Sequence, residues 1–148
     1  MTANPTFSKM FHQLLKRPTQ TRAARSVEIF GWIMMIESTV VLIAPQWVAS
    51  ILFLPPLMDQ SATYFRIGGM LLGGLGILYV ASGRLNATGF VFASLLDRPL
   101  SPVMMALLWY LGIVPGSLAL VFSISDFATF LWTLLAWRAE MAPSAVKH

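Results

Sequence analysis

Cysteine is absent from this chain, and histidine occurs only at His12 and His148. Without thiols there is no disulfide, no thiolate nucleophile and no cysteine-held zinc or iron–sulfur cluster. Two histidines far apart, with no further ligands near them in sequence, do not make a zinc or haem site, so neither a metal nor a cofactor is expected. Both histidines also lie outside the apolar segments that carry the acids, which excludes a Ser-His-Asp set. Charge is scarce as well. It accounts for 11% of residues, where a soluble domain carries roughly 25%. No acid precedes Glu28. The paired glycines Gly68-Gly69 and Gly73-Gly74 sit inside a long apolar run and follow no strand, so they are not a phosphate-cradling loop.

What the chain has in quantity is apolar. Hydrophobic residues make up 57% of its 148 residues, and the mean hydropathy is +0.71. The fold class this implies is an all-α integral membrane protein of one domain, a four-transmembrane-helix bundle. The central element runs from Thr63 to Arg84. Between Arg66 and Arg84 it holds no charge, and a helix of about 20 residues spans a ~30 Å hydrocarbon core. Gly69, Gly73 and Gly76 fall on one helical face, and Gly69-x-x-x-Gly73 is a small-residue motif that lets a neighbouring backbone approach. These three glycines are therefore expected to serve helix packing, with a ligand cavity as the alternative.

The other segments follow from periodicity and from proline. Phe7, Met10, Phe11, Leu14 and Leu15 share a face opposite Lys9, His12, Gln13, Lys16 and Arg17, which predicts an amphipathic interfacial helix stopping at Pro18. Residues 1–26 form a basic cytoplasmic segment, attracted to anionic lipid, and nucleic acid is not an expected partner. Spans are expected at about 27–44, 62–83, 102–114 and 117–137, within a transmembrane domain over 27–138, followed by a polar tail over 139–148. Short interfacial elbows are expected between spans. One lies after Pro45, with Trp47 at headgroup level. A second covers Leu85 to Leu96 and is closed by Asp97-Arg98-Pro99. With the amino terminus inside, Lys9, Lys16, Arg17, Arg22, Arg25, Arg84, Arg98, Arg138 and Lys147 all fall inside, and the two outer connections carry no Lys or Arg. Both termini are then cytoplasmic, in what reads as a bacterial inner membrane.

Three charges fall within these spans: Glu37, Arg66 and Asp126. A charge at the bilayer centre costs ~2.5–3.5 kcal/mol on insertion scales, so it faces the bundle interior and pairs. Glu37 and Asp126 lie roughly mid-depth at 1.5 Å per residue. Ser123, Asp126 and Thr129 form a polar stripe that should meet the inward glycine face bearing Arg66. Arg66 is expected to pair with Asp126, with Glu37 as the second candidate. The carboxyl left over can serve as a proton carrier, a general acid or the anchor of a cationic or hydroxylated ligand. Two function classes follow, and no reaction. The first is a non-enzymatic accessory, assembly or oligomerising component with a membrane-protein partner or a second copy. The alternative is a binder, carrier or enzyme acting on a small hydrophobic molecule (lipid, sterol or quinone) through Glu37, Arg66 and Asp126.

Overall fold

The computed structural model describes residues 7–16 and 19–141. Among them every regular element is helical: α1 Phe7–Leu15, α2 Arg22–Ile43, α3 Pro45–Ile51, α4 Asp59–Arg84, α5 Thr88–Tyr110 and α6 Gly116–Met141. Four of these, α2, α4, α5 and α6, are long and apolar enough to cross a membrane. The expected stop of α1 at Pro18 and most of the tail over 139–148 lie outside the described residues.

The glycine face of α4 is filled by α2. Ala24, Gly31 and Ser38 recur every seven residues on α2, and Gly69, Gly76 and Gly83 do so on α4. The two series run antiparallel and meet pair by pair. A Cβ added at Gly83 would lie 2.7 Å from the Ala24 carbonyl oxygen, one at Gly76 would lie 2.9 Å from the Gly31 oxygen, and one at Gly73 would lie 2.5 Å from Ser38 Oγ. At Gly69 the neighbours are Val41 Cγ1 at 2.6 Å and the Ser38 oxygen at 3.5 Å. A seven-residue repeat keeps one seam facing its partner along the whole length of two helices, and the missing side chains let the backbones touch.

α2 lies between α4 and α6, and α5 packs chiefly on α6. Phe30, Met34, Tyr79 and Val91 form the core where α2, α4 and α5 converge. The end of the bundle that holds both termini is tied by polar groups. Arg84 Nε donates to Glu28 Oε1 at 2.9 Å, and its Nη1 donates to the Leu14 carbonyl at 3.1 Å, so α1 hangs on the end of α4. Gln20 Nε2 donates to Glu28 Oε2 at 2.6 Å. The Ala23 amide, unpaired within its own helix, donates to Glu140 Oε1 of α6 at 3.0 Å.

Several boundaries differ from the sequence expectation; α4 begins at Asp59 rather than 62, and α6 runs on to Met141 rather than ending at 137. α2 begins at Arg22 rather than near 27, because Thr21 Oγ1 accepts from the Ala24 amide at 3.1 Å and caps it. The segment Leu85 to Leu96 is not a separate elbow. From Thr88 it is the first half of α5, which runs unbroken to Tyr110 with Pro99 and Pro102 inside it. The third long helix is therefore 88–110 and not 102–114. Proline ends helices in water, where the freed backbone can solvate. In an apolar bundle no unpaired backbone state competes with the helix, so proline is tolerated. Consequently Asp97 and Arg98 lie about 15 Å along the helix axis from Thr88, at 1.5 Å per residue, and not at its end.

Candidate functional site

Two places away from the polar end that holds both termini are candidates for a site. The first is a seam where α5 meets α6 and α2. Arg98 is 2% exposed, although it carries a full charge. Its Nη1 donates to the Thr129 carbonyl and to Thr133 Oγ1, both at 2.9 Å. Its guanidinium carbon lies 4.3 Å from the centre of the Phe30 ring and 5.4 Å from that of Tyr79, so the negative faces of two rings offset the charge. Nε and Nη2 find no hydrogen-bond acceptor among the described residues. Ser26 on α2 joins the seam by donating to Thr133 Oγ1 at 2.9 Å. One turn further along α5 than Arg98, Ser101 donates to Asp126 Oδ2 in a short hydrogen bond.

The second place is a cleft of about 650 Å³ in the half of the bundle away from the termini. It exists because α4 and α6 do not approach one another; α2 separates them and forms its floor. Its walls are aromatic and aliphatic, with Trp47 from α3, Tyr64 and Phe65 from α4 and Phe122 from α6. Glu37 is the one charged group lining it. Its carboxylate has no hydrogen-bond donor and no ion-pair partner among the described residues. Gly68 also lines the cleft, and a Cβ there would meet nothing within 4 Å.

The three charges that the sequence places within apolar spans, Glu37, Arg66 and Asp126, are not brought together. Arg66 pairs with neither acid. It reaches the end of α2 and donates from Nε to the Leu42 carbonyl at 3.2 Å, where a cation meets the negative pole of that helix. The one ion pair among the described residues is Arg84–Glu28. Asp126 does face the interior, but its partner is Ser101 and its nearest cation is Arg98. Thr129 Oγ1 donates to the Ser125 and Asp126 carbonyls at 2.8 and 3.1 Å, so its side chain satisfies its own helix. Ser123 is half-buried on the same helix. Sequence reasoning missed Arg98, because Asp97-Arg98-Pro99 read as a water-level stop. The available signal was the apolar sequence on both sides of that triplet, which together reaches membrane-spanning length.

Among the described residues no group of three or more His, Cys, Asp or Glu could hold a metal ion. No family model matches the chain, and neither a curated protein nor a solved structure does.

Proposed function

We propose that this chain is a four-span membrane protein that holds a small hydrophobic molecule in the lateral cleft between α4 and α6. The observation that carries this reading is the cleft itself: about 650 Å³, with apolar walls and a single charged group, Glu37. That is the usual anatomy of a small-molecule site, which is mostly apolar with few polar groups to fix orientation. The other reading, an accessory or oligomerising component, draws no support from the glycine face of α4, because α2 lies against that face along its length.

Gly68 gives a direct test, because it borders the cleft and a Cβ there would meet nothing within 4 Å. Gly68→Phe should fill the cleft without disturbing the helix seam. Gly74→Phe, equally open but absent from the cleft lining, is the matched control. After purification in native lipid, mass spectrometry should find a hydrophobic adduct on the wild type and on Gly74→Phe, and little or none on Gly68→Phe. An adduct retained by Gly68→Phe, or absent from the wild type, refutes the reading.

The orientation proposed is both termini on the cytoplasmic side of a bacterial inner membrane. Lys9, Lys16, Arg22, Arg25, Arg84 and Arg138 cluster at that end, and residues 44–58 and 111–115 at the other end carry no Lys or Arg. On α1 the exposed Phe7, Phe11 and Leu15 lie opposite Lys9 and Lys16, which suits contact with anionic lipid. Because the chain has no cysteine, single introduced cysteines report sidedness cleanly. Gln60→Cys should react with a membrane-impermeant maleimide on intact cells. Ala139→Cys should react only after the cells are opened. The reverse pattern would invert the topology.

A further inference from the structure

We infer that the cleft selects a lipophilic cation, with Glu37 as the counter-charge; this rests on the cleft being a binding site. Positive charge is short along the middle of the bundle. Among the described residues away from the helix ends, the carboxylates are Glu37 and Asp97, both exposed, and the half-buried Asp126, and the one buried cation is Arg98. Arg98 lies near Asp97 and Asp126 and is already bonded to Thr129 and Thr133. Arg66 is taken by the Leu42 carbonyl, and Arg84 by Glu28. Glu37 is therefore left without a cation and without a donor, and it is the acid that the cleft reaches.

The remaining lining matches the same ligand chemistry. Trp47, Tyr64, Phe65 and Phe122 present aromatic rings around the cleft. Such rings attract a cation through their negative faces and also shield its apolar substituents. A neutral alcohol would bond to Glu37 but leave the charge uncompensated, and an anion would meet a like charge across apolar walls. A tertiary amine, a quaternary ammonium or a phosphonium with bulky apolar groups satisfies the carboxylate, the rings and the walls together. No arginine or lysine lines the cleft to repel it.

The test compares two probes of nearly equal size and opposite charge, tetraphenylphosphonium and tetraphenylborate. The full chain is placed in phosphatidylcholine nanodiscs, and uptake by empty discs is subtracted. The wild type should bind tetraphenylphosphonium saturably and tetraphenylborate not at all. Glu37→Gln should weaken phosphonium binding roughly tenfold or more, because it removes the counter-charge from a site of low dielectric. Glu37 makes no bond within the protein, so a thermal melt should show this variant folded; the contrast between the two probes on the wild type needs no variant. Equal binding by Glu37→Gln, equal binding of tetraphenylborate, or no phosphonium binding by the wild type overturns the inference. If phosphonium binding is independent of Glu37 while Gly68→Phe still excludes a neutral co-purifying molecule, selection of a cation fails and the cleft reading stands. If Gly68→Phe alters neither, both fail.

Discussion

Gly31→Leu is expected to abolish the folded bundle, while Gly74→Leu leaves it intact. A Cβ at Gly31 would stand 2.7 Å from the Gly76 oxygen, 2.7 Å from the Val80 nitrogen and 2.8 Å from Tyr79 Cβ. Two of these are backbone atoms, which no rotamer change can move aside. Even Gly31→Ala forces α2 and α4 apart along their central contact. Overpacking of this kind typically costs about 1–3 kcal/mol, against a gain of roughly 0.5–1 kcal/mol from replacing a helical glycine. Leucine adds three further carbons at the same point and should exceed that range, in a fold whose total stability is on the order of 5–15 kcal/mol. At Gly74 a Cβ meets nothing within 4 Å, so only the helix-propensity gain remains. Unfolding in mixed micelles titrated with dodecyl sulfate, followed by circular dichroism, measures both. A Gly31→Ala protein as stable as the wild type would refute the account of the seam.

The seam also shows how much the sequence can say. That there are four long apolar helices follows from hydropathy and bilayer thickness. That Gly69, Gly73 and Gly76 serve packing follows from their shared face. Which helix they receive required a second pattern, the small residues Ala24, Gly31 and Ser38 at the same seven-residue period in the preceding helix. That series mixes three residue types, so it is quieter than the glycine run, but it is present. The boundary of α5 was obscured for a different reason. Pro99, Pro102 and the charged pair Asp97-Arg98 each signal an ending in an aqueous chain, and those rules rest on water being available to the freed groups. Charge and the two facing helical stripes pair Arg66 with an acid. The carbonyls at the end of α2 are an equally good partner for a cation, and they carry no signature in the sequence. The cleft could not be read at all, since it arises from α4 and α6 not meeting.

Arg98→Ala is expected to be the second most damaging single change. The side chain is among the largest that are fully buried, and it links α5 to three other helices: Thr129 and Thr133 on α6, Phe30 on α2 and Tyr79 on α4. Direct backbone contact of α5 with α2 and α4 is slight, so Arg98 supplies much of what joins α5 to those two helices, while α6 meets α2 directly. Truncation leaves a cavity between the rings, removes two charge-assisted hydrogen bonds and deprives Asp126 of its nearest cation. Together these should cost about 3–5 kcal/mol. Arg98→Lys should recover only part of that loss, because an ammonium cannot bond as a fork and stack on a ring at once. Asp126→Asn should cost less, since its amide oxygen can still accept from Ser101. The double variant Arg98→Ala with Asp126→Asn should lose less than the sum of the single changes, as the stranded carboxylate is gone. The same detergent titration, run as a double-mutant cycle, decides the matter. Strict additivity would mean that Arg98 and Asp126 do not sense each other, and an Arg98→Ala protein close to wild-type stability would mean that the rings and hydroxyls around it hold the helices together unaided.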